Sequence, residues 1–118
     1  MQMSYSNFEQ GEIVVGELYY SDLTGVKKRP LLVISSSEFN NKSDDVMLLK
    51  ITGGEHQTPF SIGCLQSDLE KGELKKESRI STDFITTLSK GLLGKPIAKI
   101  SSKKLKEVTA SLAKIMDI

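Results

Sequence analysis

The chain has no tryptophan, one histidine and only one cysteine among 118 residues, and the last scarcity removes whole classes of function. Cys64 alone closes no internal disulfide and builds no zinc-type cysteine cluster. Neither a metal nor a cofactor is therefore expected, and a reducing cytoplasm is the expected setting. Lys and Arg outnumber Asp and Glu by only 16 to 15, so no global field draws nucleic acid and any basic site has to be local. No apolar run approaches the ~20 residues of a membrane-spanning helix, and the first residues carry neither a basic n-region nor an apolar h-region. A glycine-rich phosphate loop, an HExxH and a GxSxG are all missing, which argues against nucleotide, zinc-protease and serine-hydrolase readings. Internal repeats and low-complexity segments are absent as well.

What is present suits one small domain, residues 11–118, behind a flexible N-terminal arm, residues 1–10, that Phe8 could pin down. Short alternating segments separated by Gly, Pro, Asn and Ser predict a mostly β chain of about five to seven antiparallel strands. In the run Val46 to Ile51, Val46 and Leu48 lie on one face and Met47, Leu49 and Ile51 on the other, so both faces read as buried. A small antiparallel sheet usually keeps one face in water. Two apolar faces therefore predict a sheet that curls into a barrel, or a subunit interface and hence a homodimer. Ser36 to Asp44 reads as a loop with Phe39 as a plug over the core, and Gln66 to Glu77 reads as a solvated connector. Cys64 falls on the apolar register of Phe60, Ile62 and Cys64 and is expected in the core. Arg79–Ser81 and Phe84–Leu88 are two short ordered pieces, followed by a strand at Ile97–Ile100. Leu105, Val108, Leu112 and Ile115 or Met116 recur at helical spacing behind a Ser101 or Ser102 cap, which predicts a C-terminal helix with one buried stripe. Lys103, Lys104 and Lys106 in its first turn oppose the helix dipole and read as solvated, or as facing an anion.

The candidate chemistry gathers at Gly11 to Ser37, which reads as strand, basic loop and strand. Ser21-Asp22-Leu23-Thr24-Gly25 turns the chain. Lys27-Lys28-Arg29-Pro30 then leads straight into Leu31-Leu32-Val33-Ile34. Pro30 is tolerated at the start of a strand and pushes Arg29 toward extended geometry, so a stiff sheet holds the guanidinium. Arg29 is either a solvated strand-end charge or a planar fork for phosphate oxygens. Thr52 ends the central strand before Gly53-Gly54, where its hydroxyl can project and the glycines let phosphate approach backbone N–H groups. His56 is a loop histidine or an acid–base group. Tyr19 and Tyr20 either stack on a base or pack on the sheet.

Gly11-Glu12-Ile13-Val14, Tyr20 to Gly25, Lys28 to Ser35 and Asp45 to Thr52 resemble, in order and spacing, the PemK/MazF toxins of toxin–antitoxin systems, and Asp83 to Lys90 with the C-terminal helix resembles them more loosely. The resemblance implies a small SH3-like barrel of the CcdB/PemK type and a metal-independent endoribonuclease that drives 2'-OH attack in single-stranded RNA. It also implies a homodimer and a cognate antitoxin as partner. An Arg before Pro and a Thr or Ser ending the third strand form that family's catalytic pair, which maps onto Arg29 and Thr52. An Arg-x-Asp pair used by other members falls on Ser81, Thr82 and Asp83. The carboxylate is present and the arginine is not, and Arg79, a residue pair earlier, is the candidate compensation. Lys27, Lys28, Tyr20, Gly53, Gly54, His56 and Arg79 are the candidate RNA-binding residues. The alternatives are a binding toxin on the same scaffold, since the gyrase-poisoning CcdB shares the fold without RNase chemistry, or an inactive relative.

Overall fold

The computed structural model describes residues 7–19, 26–54 and 58–118, with the side chains of Tyr19 and Val26 left aside. Its strands are β1 (Glu12–Tyr19), β2 (Val26–Val33), β3 (Asp45–Gly53), β4 (Ser61–Cys64), β5 (Leu69–Gly72), β6 (Ser78–Ser89) and β7 (Ala98–Ile100), with helices α1 (Ser37–Lys42) and α2 (Ser102–Met116). They form one sheet in the order β4-β6-β3-β2-β1-β7-β5, antiparallel at every pairing. The curl expected from the two apolar faces of β3 is present. Leu49 and Ile51 enter one cluster with Ile13, Leu32, Cys64, Ile80, Ile100 and Val108, and Val46 and Leu48 enter a second with Phe8, Val14, Leu31 and Val33. In the first cluster α2 covers the sheet through Val108, with Leu105 and Leu112 beside it.

Three stretches differ from the expected loops: the basic residues Lys27 to Arg29 lie within β2 with Pro30 in mid-strand, where the pairing with β1 extends past them, and two connections hold further elements. Ser36 to Asp44 contains α1, which Ser36 caps by accepting the Phe39 N–H. A six-residue helix is too short to show a period, and the segment's composition hides it. Phe39 is not a plug: it is exposed, and the buried member is Asn40, whose amide donates to the carbonyls of Phe8 (3.0 Å) and Ser35 (3.1 Å). Phe8 is buried, so the core draws on a residue of the expected arm, worth about 1.5–3 kcal/mol for a fully buried apolar side chain. The polar segment after Cys64 holds a 3-10 turn and β5, an edge strand that pairs with β7 through Leu69 and Ile100.

The two pieces expected at Arg79–Ser81 and Phe84–Leu88 are one strand, β6, with a large bulge between them. Lys50 pairs with Ser81 and Leu49 with Ile85, so Thr82, Asp83 and Phe84 are taken up within a single rung. The Thr82 hydroxyl donates to the Phe60 carbonyl and lies 2.8 Å from the Ser111 hydroxyl, which anchors the bulge to α2. Ser101 caps α2 by accepting the Lys104 N–H. Its buried stripe stops at Leu112, because Ile115 and Met116 are exposed. Lys104 is not solvated as expected. It is buried, with Nζ donating to the Gly63 carbonyl (3.1 Å) and to Glu107 (3.3 Å), and it pairs with Asp68 (3.6 Å). No helix among the described residues is long and apolar enough to cross a membrane.

Candidate active site

Strand register decides which of the candidate residues can meet. In β1 and β2, Gly16 stands opposite Arg29, Glu17 opposite Lys28 and Leu18 opposite Lys27. Cross-strand partners share a face and neighbours alternate. Arg29 and Lys27 therefore lie on the face of Leu31, Val33 and Leu18, and Lys28 lies on the other face. Lys28 there lines a separate cleft with Val15, Glu17, Leu92 and Gly94. The hydrogen-bonded ladder between β2 and β3 runs from Val33/Leu48 to Leu31/Lys50. The pairing ends there, and Arg29 and Thr52 each lie two residues beyond its last rung, on the same face by strand alternation. Across β3 and β6, Thr52 pairs with Arg79, and across β4 and β6, Gly63 pairs with Arg79.

Gly16 with Arg29, and Thr52 with Arg79 and Gly63, form two cross-strand pairings on one face, which carries the paired Leu31 and Lys50 one rung further in. Arg29 shares the face of Thr52, whereas the Arg79 guanidinium leans the other way, over β4. The Thr52 hydroxyl oxygen is sealed from solvent and has no hydrogen-bond partner among the described residues. Buried polar groups are nearly always satisfied, so an orphan of this kind marks a site.

Arg79 is held in place. Its Nε donates to the Ser61 hydroxyl at 2.7 Å and one Nη to the Ser61 carbonyl at 2.8 Å. Ser81 is buried on the next rung opposite Lys50. Lys50 in turn sets its ammonium 4.4 Å from the centre of the Phe84 ring, a cation–π contact that holds one side of the bulge. Asp83 is exposed within the bulge. Because three residues occupy one rung, Asp83 stands about two to three residue steps, ~7–10 Å, along the sheet from Thr52 and not the ~13 Å of a regular strand. Gly53 closes β3 opposite Ser78, and Gly54 follows it with Glu77 as the nearest neighbour. Tyr20 and His56 lie outside the described residues. Sequence reasoning missed Ser61 altogether. Its only signal was its place in the alternation of β4, opposite the apolar register of Cys64.

Residues 9–116 match the profile of the family described as PemK-like, MazF-like toxin of type II toxin–antitoxin system. The chain belongs to this family. The relatives agree with the assignment. A protein named Endoribonuclease MazF from Staphylococcus saprophyticus is 29% identical over 103 residues, covering 82% of this chain and 85% of that one. Among solved structures, the fold is similar to an endoribonuclease in complex with its cognate antitoxin from a mycobacterial species, with TM-score 0.75, 20% identity and coverage of 93% of this chain and 95% of that one. It is also similar to MazE–MazF (Form-III) from Deinococcus radiodurans, with TM-score 0.77, 18% identity and coverage of 95% and 98%. Arg29, Thr52 and Arg79 all fall within the matched residues.

Proposed function

We propose that the chain is the toxin of a type II toxin–antitoxin pair and that it cleaves single-stranded RNA without a metal. The observation that carries the reading is the unsatisfied, buried Thr52 hydroxyl on the face of the sheet that also carries Arg29. In the reaction the ribose 2'-oxygen attacks the adjacent phosphorus and the bond from phosphorus to the 5'-oxygen breaks. A cyclic phosphate forms on one product and a 5'-hydroxyl on the other. The proton lost by the 2'-oxygen goes to an acceptor, and the departing 5'-oxygen takes one from a donor. Arg29 serves the charge that builds on the equatorial oxygens, since its guanidinium stays protonated and presents a planar fork. Thr52 donates its hydroxyl to the same phosphate. That hydroxyl is sealed in the unbound chain, so the side chains over it shift when RNA seats. Asp83, brought near by the bulge, is the acceptor of the 2'-hydroxyl proton.

Lys27 shares the face of Arg29 and extends the cationic track for flanking phosphates, and Gly53 and Gly54 leave the backbone accessible beside Thr52. Tyr20 and His56 belong to the RNA-binding set proposed from the sequence. The partners are a second copy of the chain and an antitoxin segment that competes with RNA for the same track, and the site of action is the cytoplasm. Support for the antitoxin comes from the structural relative described as an endoribonuclease in complex with its cognate antitoxin.

The deciding experiment is cleavage of single-stranded RNA in EDTA by the purified protein, beside Arg29→Ala, Thr52→Ala and Asp83→Asn. Parent activity that survives EDTA and disappears in folded Arg29→Ala supports the reading. A parent that arrests growth without cutting RNA would favour the binding-toxin alternative.

A further inference from the structure

We infer that Arg79 and Lys104 close the open edge of the sheet at β4, so that this edge cannot add a strand from a second copy of the chain. β4 ends the sheet, with β6 on one side and no strand on the other. Such an edge presents a line of unpaired N–H and C=O groups, a template for pairing with another chain. Register identifies the groups concerned. The Thr82 N–H donates to the Phe60 carbonyl at 3.2 Å, one step before β4 begins, which makes Phe60 and Thr82 a hydrogen-bonded pair. Antiparallel pairs alternate, so Ile62 and Cys64 also turn their backbone groups to β6, while Ser61, Gly63 and Leu65 turn theirs outward.

These outward groups are taken from within the chain. The Ser61 N–H donates to the Thr58 carbonyl (3.1 Å) and the Leu65 N–H to the Asp68 carboxylate (2.9 Å). Cations take the two outward carbonyls of the strand. Arg79, opposite Gly63, passes over that glycine, where an added Cβ would stand 3.5 Å from Nη1, and Nη2 donates to the Ser61 carbonyl at 2.8 Å. Lys104 comes from α2, on the other face of the sheet, and its Nζ donates to the Gly63 carbonyl at 3.1 Å. Of the three outward N–H groups only that of Gly63 has no acceptor among the described residues. Both cations are fixed in place. The Ser61 hydroxyl accepts from Arg79 Nε at 2.7 Å, and Lys104 is buried against Glu107 and Asp68. An incoming strand has to direct N–H groups at both carbonyls. It meets a guanidinium and an ammonium instead, and displacing either takes a charge from its partners.

The test is sedimentation velocity of the purified chain over a range of concentrations, comparing the parent with the double variant Arg79→Ala, Lys104→Met. With both carbonyls freed, two β4 edges can pair, so the double variant should gain a species of about twice the parental mass that grows with concentration. Adding Gly63→Pro removes the remaining outward donor and bars an added strand without touching the ladder to β6, so the parental mass should return. Lys103→Ala with Lys106→Ala removes the same charge from exposed positions and should leave the mass unchanged. Thermal melts show which variants fold, and Arg79→Ala alone, which frees the Ser61 carbonyl beside the Gly63 N–H, takes the place of a double variant that does not. Hydrogen exchange of the parent gives a second reading: the Gly63 N–H should exchange about tenfold or more faster than those of Ile62 and Cys64, which the ladder protects. A folded variant that keeps the parental mass overturns the inference. Association that survives Gly63→Pro, or that the Lys103 and Lys106 control reproduces, overturns it as well, because the contact then runs through another surface. Equal protection of the three amides in the parent also overturns it, since the edge would already be paired.

Discussion

Thr52→Val should make the protein more stable and less active at once. Valine keeps the branched shape of threonine and its fit to the sheet, and replaces only the hydroxyl that is sealed without a partner among the described residues. A buried polar group left unsatisfied costs about 1–3 kcal/mol. Taking the lower end, and an unfolding entropy of about 2.1 cal/mol/K per residue, the 118-residue chain should melt about 4 °C higher. If the same hydroxyl contacts the scissile phosphate, its loss removes a hydrogen bond to a charged group, about 1.5–3 kcal/mol, or roughly 10- to 150-fold in the rate of the bound complex. Calorimetry and single-turnover cleavage on the same preparation read the two effects. A serine at position 52 keeps the hydroxyl and should keep most of the activity. The reasoning is refuted if the valine variant melts lower than the parent, since the hydroxyl would then be making bonds that hold the fold. It is refuted equally if the variant is stabilised and cuts RNA at the parental rate.

Other expectations follow from the same geometry. Arg29→Lys should lose most of its cleavage, because an ammonium supplies charge without the fork; parental activity at saturation would move the catalytic cation elsewhere. Lys27→Ala should flatten the salt dependence of RNA binding while Lys28→Ala, on the opposite face, should not, and equal effects from the two would show that RNA wraps both faces. Burial pushes the Cys64 thiol up to about 11, with Asp68 adding to the rise, so a thiol reagent at neutral pH should label the chain only on unfolding; rapid labelling of the native protein would contradict its placement. Burial also raises the Glu12 carboxyl above its ordinary 4.5 against the Glu9 N–H that it accepts at 2.7 Å. The folded state thus binds that proton more tightly than the unfolded chain, and ionised Glu12 costs stability above its folded pKa. Glu12→Gln should raise the melting temperature at neutral pH, with the gain vanishing below about 4.5.

Features that depend on apolar alternation over several residues were legible before any coordinates. The two buried faces of β3, a C-terminal helix capped at Ser101 or Ser102 with Leu105, Val108 and Leu112 turned to the sheet, and the apolar position of Cys64 all follow from period and capping chemistry, whereas the end of that stripe, expected at Ile115 or Met116, does not. Features set by contacts between distant segments were not. β5 is a polar edge strand whose pairing partner lies about thirty residues on, at Leu69/Ile100. Lys104 reads as one more solvated lysine until Asp68, Glu107 and the Gly63 carbonyl are placed around it. The break between Ser81 and Phe84 was visible, but as a gap between two strands, because a bulge and a loop have the same local pattern and differ only in what β3 does opposite. The candidate site divides in the same way. Arg29 and Thr52 carry signals of their own, Pro30 and Gly53-Gly54, whereas Ser61 has meaning only once Arg79 lies beside it.

The register that buries the core is also the one that assembles the site. Leu32, Leu49, Ile51 and Ile80 must share a face to form their cluster, and strand alternation then sends Leu31, Lys50 and Ser81 to the other face, with Arg29, Thr52 and Arg79 one rung out. A slip of one residue would exchange the two sets and bury both arginines, a cost that no apolar gain offsets, so the site needs no further device to fix which way its side chains point.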